Sequence, residues 1–291
     1  MVGATTPVGQ VVKVLITGAG GQVGHDLINA FVDDEVEAYD HQSLDITDTK
    51  LVTEVITTSR PDAIVHAAAW TAVDACESDP KKAHRINATA SGAIAASARE
   101  VGAHLTYFST DYVFDGTKPS PYLETDTPNP QSVYGATKLA GELAVGGDAL
   151  ILRISWVCGA HGANMVKTIL RLAREHEHLS FVDDQRGNPT FSADLAPLVR
   201  QMVSDQRTGI FHATNQGAVS WFEFAQAVMI AAGLDPDRVT PISTADLTPR
   251  RPAPRPANSI LENAALMNAS IDLLPDFREP LNRLIRELEI T

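Results

Sequence analysis

Residues 11–24 read VVKVLITGAGGQVG, a short apolar run followed by a glycine-rich turn. The run is rich in β-branched residues and stops at Gly18, which is typical of a buried parallel strand. After the turn, four apolar residues at helical spacing predict a helix: Val23, Leu27, Ile28 and Phe31. The stretch therefore predicts the strand–turn–helix unit that opens a doubly wound parallel sheet.

The glycines of this turn follow the pattern G-x-x-G-x-x-G, at Gly18, Gly21 and Gly24. Glycine permits a tight turn and a close approach of backbone to a pyrophosphate, which the helix N-terminus then attracts. A Gly-rich turn is often only a turn, but the flanking strand and helix favour a dinucleotide site here. Asp40 ends the second predicted strand, where a carboxylate can bind ribose hydroxyls. No Arg or Lys adjoins Asp40 in the sequence, so the pattern suits NADH at least as well as NADPH.

Strand-like and helix-like runs alternate with short connections up to about residue 157. The further strands are predicted at 35–40, 62–70, 103–110 and 149–157, with helical patterns between them. This alternation predicts an α/β fold with a Rossmann-like doubly wound parallel sheet. We expect a dinucleotide-binding domain over residues 1–157, with a short flexible lead-in at 1–10.

The alternation of strand-like and helix-like runs becomes less regular after residue 158. We expect a smaller α/β substrate domain over residues 158–291. Some of its segments are expected to return to the Rossmann sheet. Helices are predicted near 162–175 and 192–204, a strand at 209–215, and a helix that begins with a capping box of Ser220 and Glu223. The proline-rich segment 248–259 is expected to be extended, and a helix is expected to close the chain.

Composition narrows the classes of partner. The chain has 291 residues and a net charge of −13, which argues against nucleic acid and against anionic membrane as main partners. No apolar run approaches the roughly 20 residues of a membrane span. Cys76 and Cys158 form neither a disulfide framework nor a metal-ligand pattern. With no signal-peptide pattern at the N-terminus, the cytoplasm is the expected compartment.

The pair Tyr134 and Lys138 stands four residues apart in a segment of helical character, VYGATK. Residues four apart are neighbours on a helix, so a lysine ammonium there would lower the pKa of the phenol from about 10. Such a pair suits proton delivery to a carbonyl oxygen, and Thr110 can share the hydrogen bond. The alternative interpretation is an exposed helical pair without a role.

Polar and small residues follow the other predicted strands, at the edge of the sheet where ligands bind. Ala67, Ala68 and Ala69 leave room for a flat ring, although simple small-residue packing explains them equally well. Asp111 follows Thr110, and Trp156 ends a further strand, where a core position is the alternative.

Together these motifs resemble the extended short-chain dehydrogenase/reductase family over nearly the whole chain. The resemblance implies that Thr110, Tyr134 and Lys138 are catalytic and that Asn87 supports them. It implies a nicotinamide cofactor, NADPH or NADH, held by these residues: Gly18, Gly21, Gln22, Val23, Gly24, Asp40, Asp45, Ile46, Ala67, Ala68, Ala69, Trp70, Thr71, Phe108, Tyr134 and Lys138.

Within that family, the stretches STDYVFDG, RISWV, DDQRGNPT and RPANS resemble members that reduce a nucleotide sugar. The resemblance implies reduction of the 4-keto group of dTDP-4-dehydro-L-rhamnose, on the way to cell-surface polysaccharide. The implied substrate-binding residues are Thr110, Asp111, Trp156, Asn188 and Arg255. An arginine suits the diphosphate because its planar fork binds phosphate oxygens in pairs.

The chain departs from the family pattern at the acidic positions that hold a metal, and more than one function remains open. Some members hold Mg²⁺ with acidic residues at a dimer interface; this chain has Asp26 at one such position but Ala193, beside Asp194, at or near another. No metal site is therefore predicted, while Mg²⁺ dependence and a homodimer stay open. The alternative functions are a nucleotide-sugar dehydratase or epimerase and a non-catalytic subunit like the regulator of methionine adenosyltransferase.

Overall fold

The computed structural model describes residues 11–290, so the lead-in predicted at 1–10 lies outside the described residues. In this part of the chain the strands are β1 (Lys13–Thr17), β2 (Glu35–Tyr39), β3 (Ala63–His66), β4 (His104–Thr110), β5 (Leu150–Ile154), β6 (Val157–Cys158), β7 (Leu179–Val182), β8 (Arg186–Gly187), β9 (Thr190–Phe191), β10 (Gly209–His212), β11 (Val219–Ser220) and β12 (Val239–Ile242).

The helices over the same residues are α1 (Gln22–Ala30), α2 (Thr49–Ser59), α3 (Val73–Ser78), α4 (Pro80–His84), α5 (Ala90–Val101), α6 (Val133–Val145), α7 (Met165–Glu175), α8 (Ser192–Ser204), α9 (Trp221–Ala231), α10 (Ala264–Asn268) and α11 (Arg278–Ile290). A π-helical segment, Arg85–Thr89, joins α4 to α5.

Six strands form one parallel sheet in the order β10-β5-β4-β3-β1-β2. Alternate residues of β1 enter opposite cores: Val14 and Ile16 pack with α1 and α8, and Leu15 packs with α2 and α5. Because both faces are covered, the strand is apolar throughout, as its sequence predicts. The predicted Rossmann-like fold class is confirmed.

Residues beyond 158 contribute to two places in the fold. Strand β10 pairs with β5 at the edge of the large sheet, and α8 packs against α1. A separate core lies among α7, α9 and α11, where Phe224 and Phe277 are fully buried. The helix α9 begins at the predicted capping box of Ser220 and Glu223. The division into two domains at residue 157 stays a prediction.

Two predicted strands end earlier than expected beside the cavities, and both differences build the site. The strand predicted at 149–157 breaks after Ile154, because Trp156 has a φ of +48° and cannot continue an extended strand. The strand predicted at 62–70 ends at His66. The alanines that follow it leave the sheet and line a cavity.

Candidate active site

Two adjoining cavities open beyond the carboxyl ends of the sheet strands. Their volumes are about 400 Å³ and about 590 Å³. Four residues line both of them: Gly18, Gly21, Ala67 and Ala69. This edge of a parallel sheet is where ligands bind in doubly wound folds, so the continuous cleft is the candidate active site.

The glycine turn lies at the junction of the two cavities. Gly18 has a φ of +76°, and a Cβ there would lie 2.6 Å from the backbone N of Ala68. A Cβ on Gly24 would lie 2.2 Å from the carbonyl oxygen of Gly18. Gly21 precedes α1 without a side-chain cap, and Gln22 and Val23 line the first cavity beside it. The turn therefore presents backbone and a helix N-terminus to the cleft, as a pyrophosphate requires.

The larger cavity is lined by the three residues expected at the adenosine end of a dinucleotide, Asp40, Asp45 and Ile46. Ala68 lines it too, and so does Trp70, which was expected along the nicotinamide half. Hydrogen bonds from Ser43 and Gln42 hold the pKa of the Asp40 carboxyl below its ordinary value, with those from Ser43 the larger cause. Asp40 is therefore ionised at neutral pH.

Lys82 also lines this cavity, with its ammonium 4.5 Å from the centre of the Trp70 ring. Sequence reasoning missed this residue because it lies far from Asp40 along the chain. No Arg or Lys adjoins Asp40 in the sequence, but in the fold Lys82 and Asp40 line the same cavity.

The smaller cavity is lined by Thr110, Tyr134 and Lys138, together with Thr71 and Phe108. Ser132 begins α6 by accepting a hydrogen bond from the backbone N–H of Gly135 at 3.1 Å. Tyr134 is 8% exposed and Lys138 3% exposed. The alternative of an exposed helical pair is therefore wrong.

Burial moves the pKa values of this pair in opposite directions. It raises the pKa of Tyr134 above the ordinary value, and the Asp111 carboxylate adds to this, while a hydrogen bond with Thr110 opposes it. Burial lowers the pKa of Lys138 to about 7, against the smaller effect of Glu142, which raises it. The Lys138 ammonium lies 4.1 Å from the centre of the Tyr107 ring. The net effect of the surroundings is a raised pKa of Tyr134, and the expectation that Lys138 lowers this pKa stays a prediction.

Asn87 lies behind the cavity, fully buried in the π-helical segment. Its side chain accepts from the Trp70 N–H at 2.8 Å and donates to the Trp70 carbonyl at 3.1 Å. It also donates to the Thr137 hydroxyl at 3.1 Å. It thus holds the loop that leads from β3 into the cavity against α6, and its supporting role in catalysis stays a prediction.

Two of the predicted substrate residues share the smaller cavity with Thr110. Asp111 is buried, accepts from the Thr110 hydroxyl at 2.9 Å, and has no hydrogen-bond partner for Oδ2 within the described chain. Burial raises its pKa to about 6. Trp156 stacks on Trp221, which also lines the cavity. Sequence reasoning missed Trp221, for which only its place at the start of a capped helix was a signal.

The other two substrate residues do not line either adjoining cavity as the structure describes it. Asn188 is buried and accepts from the Leu261 N–H at 2.9 Å. Arg255 makes two hydrogen bonds to Asp74, at 2.8 and 2.7 Å, beside a separate cavity of about 200 Å³. Their assignment to the substrate therefore stays a prediction, as do the roles of the other site residues.

The acidic residues considered for a metal are partly engaged elsewhere. Asp194 accepts from the Asn215 amide at 2.8 Å and pairs with Arg283. Over residues 11–290, no three His, Cys, Asp or Glu side chains converge on a point that could hold a metal ion. Nor does any helix in that range have the length and apolarity needed to cross a membrane. The possible homodimer stays a prediction.

Comparison with known proteins supports the family resemblance that the sequence motifs indicate. A dTDP-4-dehydrorhamnose reductase of Burkholderia thailandensis is 42% identical, over 95% of this chain and 99% of its own. The structure of a dTDP-4-dehydrorhamnose reductase from Clostridium acetobutylicum aligns with a TM-score of 0.91 and 39% identity, covering 95% of this chain and 99% of that one. One from Bacillus anthracis in complex with NADP has a TM-score of 0.91 and 37% identity, covering 96% and 100%. The pattern of the family described as the RmlD substrate binding domain matches residues 12–290, and the chain belongs to that family.

Proposed function

We propose that this protein reduces the 4-keto group of dTDP-4-dehydro-L-rhamnose to dTDP-L-rhamnose, with NADPH or NADH as cofactor. The observation that carries the proposal is the convergence of Thr110, Tyr134 and Lys138 on one cavity beside the glycine turn. The relatives that bear the name dTDP-4-dehydrorhamnose reductase, one of them solved with NADP, support the substrate and the cofactor. The product would serve polysaccharide biosynthesis in the cytoplasm.

The cleft fits a nicotinamide dinucleotide on its own geometry. The Gly18 and Gly24 positions exclude any side chain, which leaves backbone facing the junction of the cavities. Asp40, Asp45 and Ile46 would hold the adenosine end, and Thr71 and Phe108 would lie along the nicotinamide half. When bound, the cofactor supplies the hydride that the ketone carbon receives.

The protein supplies the proton and the orientation of the ketone. Thr110 and Tyr134 line the same cavity, so both hydroxyls can bind the carbonyl oxygen. Tyr134 is protonated at neutral pH because its pKa is raised. An alkoxide is a stronger base than a phenolate, so the phenol proton moves to the oxygen as that oxygen gains charge. Lys138 lines the same cavity one helical turn from Tyr134, and its ammonium form would stabilise the phenolate left behind.

The alternative functions have less support. Dehydratases of this fold typically have a glutamate after Thr-Asp, which removes a ring proton; here that position is Tyr112, whose ring lies edge-on to Tyr134 at 5.6 Å. A non-catalytic subunit would not need Thr110, Tyr134 and Lys138 assembled in one cavity. The reductase therefore accounts for more of the site.

The direct test mixes purified protein with dTDP-4-dehydro-L-rhamnose and follows the absorbance of NADPH, then of NADH, with and without Mg²⁺. Loss of absorbance with formation of dTDP-L-rhamnose supports the proposal and ranks the cofactors. Tyr134→Phe, which keeps the ring, should lower kcat by about 10²–10⁴-fold with little change in cofactor binding. Absence of turnover in wild type with cofactor bound, or near wild-type turnover in Tyr134→Phe, would refute it.

A further inference from the structure

Trp156 and Trp221 form a stacked pair of indole rings on the wall of the smaller cavity. Their centroids lie 3.5 Å apart and their planes differ by 6°. Both side chains line the cavity that holds Thr110 and Tyr134. Trp156 follows β5 and Trp221 is the first residue of α9, so the pair joins two parts of the wall that are distant in sequence.

Trp156 adopts a backbone conformation that a bulky residue rarely takes. Its φ is +48°, in the left-handed region, which costs energy and persists only where the surroundings hold it. Gly187 makes space for the ring, because a Cβ there would lie 2.7 Å from the indole Cε2. The preceding Ser155 donates to the Asn188 carbonyl at 2.6 Å. The position of the indole is thus fixed at some cost, as is common at ligand sites.

Trp221 is held by its own set of contacts, which makes it a firm support. Strand β11 pairs with β8, with Val219 opposite Gly187. Ser220 and Glu223 cap α9 in both directions, at 3.1 and 2.8 Å. Glu223 also pairs with Arg186 at 3.0 Å. Strand β8, which contains Gly187 next to the Trp156 ring, is therefore bonded to β11 and to the first turn of α9, where Trp221 lies.

We propose that Trp221 is a positioning residue for the nucleotide sugar: it holds Trp156 in its strained conformation and thereby sets the wall against which the sugar ring binds. A 6-deoxy sugar presents a methyl group and C–H bonds, to which an aromatic wall is complementary. The identity of this ligand rests on the proposed function, whereas the positioning role rests on the geometry of the pair.

The test is a double-mutant cycle on the KM for the nucleotide sugar, with Trp156→Ala, Trp221→Ala and the double variant. Trp221→Ala should raise this KM about tenfold, the effect expected for loss of one stacked pair. The KM for NADPH and kcat should stay within about twofold, because a binding wall acts equally on ground and transition states. The double variant should match Trp156→Ala alone, since Trp221 acts through Trp156. Trp221→Phe should restore most of the loss.

Phe222→Ala is the matched control, because it removes an aromatic ring from the same turn of α9, outside the residues that line the cavity. The proposal fails if Trp221→Ala changes KM no more than Phe222→Ala does, or raises both KM values alike. It also fails if the effects of Trp156→Ala and Trp221→Ala multiply in the double variant, because Trp221 would then bind the sugar independently.

A second readout separates this proposal from the function itself. Of the three tryptophans in the chain, two form the stacked pair, so the indole signal of the pair is the part of the wild-type spectrum that is lost when either member is replaced. The near-ultraviolet circular dichroism of the pair should fall equally with either Trp156→Phe or Trp221→Phe, and should change on titration with dTDP-L-rhamnose. A response in a protein that does not reduce the keto sugar would refute the proposed function and keep the positioning role. Turnover of the keto sugar without a change in circular dichroism would support the proposed function and refute the positioning role.

Discussion

Glu142 and Arg153 form a buried ion pair directly behind the cavity, and this pair permits a sharp prediction about stability. Arg153 donates from Nε to one carboxylate oxygen at 2.9 Å and from Nη2 to the other at 2.8 Å. Both side chains are almost fully buried, at 2% and 4% exposure. The Ser109 hydroxyl donates to the same carboxylate. The carboxylate therefore accepts three hydrogen bonds at an almost fully buried position.

Glu142→Gln removes the charge while keeping the shape. The Arg153 guanidinium would then be a buried cation without a counter-charge, and the new amide group would direct a donor at one of its nitrogens. Removing one partner of a buried pair costs about 3–5 kcal/mol. Since a folded domain is stable by only about 5–15 kcal/mol, the loss should move the urea midpoint far below that of wild type.

Urea denaturation with an unchanged slope measures this loss, and two controls locate its cause. Glu175→Gln breaks the exposed pair of Arg171 and Glu175, whose side chains are 59% and 48% exposed, and should cost at most about 0.5 kcal/mol. The double variant Glu142→Leu/Arg153→Met removes both charges, so it should lose only about 1–3 kcal/mol, for the unpaired Ser109 hydroxyl.

The reasoning is refuted if Glu142→Gln costs no more than Glu175→Gln. It is also refuted if the double variant is as unstable as Glu142→Gln. In that case the packing of the Glu142 and Arg153 side chains, rather than an uncompensated charge, would determine the loss.

Three further predictions concern single charged residues: Lys138, Lys82 and Arg255. Burial lowers the pKa of Lys138 from 10.5 to about 7, so between these values the unfolded chain binds the extra proton and stability rises with pH. Lys138→Met should therefore stabilise the fold most below about pH 7 and least near pH 10; a gain in urea stability that is equal at both pH values would contradict this. Lys82→Ala should raise the KM for NADPH more than that for NADH, because Lys82 is the cation that shares the cavity with Asp40; Lys50→Ala, outside that cavity, is the control, and equal changes for both cofactors would exclude recognition of the 2′-phosphate. Arg255→Ala should raise the KM for the nucleotide sugar far more than that for the cofactor, because we expect the guanidinium, which pairs with Asp74 in this structure, to bind the diphosphate of the substrate; an equal change in both KM values would remove Arg255 from the substrate site.

The sequence predicted those features that depend on short-range pattern. Val14, Leu15 and Ile16 read as a strand covered on both faces, and Gly18 and Gly24 read as a turn that excludes side chains; both predictions are confirmed. The four-residue spacing of Tyr134 and Lys138 predicted that they share one face of a helix. In the structure both residues line the smaller cavity. Periods of two and four residues are local properties, so they can be read without knowledge of the fold.

Features that depend on contacts between distant segments could not be predicted. The break at Trp156 depends on Gly187 and Trp221, neither of which adjoins it in the chain. Lys82 shares the larger cavity with Asp40, although 42 residues separate the two in the chain. Arg255 was expected at the diphosphate, but its pairing with Asp74 is a tertiary contact that spacing does not encode.

Burial, rather than the spacing of the two residues in the sequence, has the largest effect on the protonation of Tyr134 and Lys138, the proposed catalytic residues. A phenol beside an ammonium in water would lose its proton more easily. Such a group suits the removal of a proton from an alcohol while the cofactor takes the hydride. In this cavity burial is the largest cause for both groups, and it favours the neutral phenol and the neutral amine. A tyrosine whose pKa is raised keeps its proton at neutral pH, yet it still gives that proton to an alkoxide, which is more basic. In the proposed reduction Tyr134 therefore begins each turnover with its proton in place.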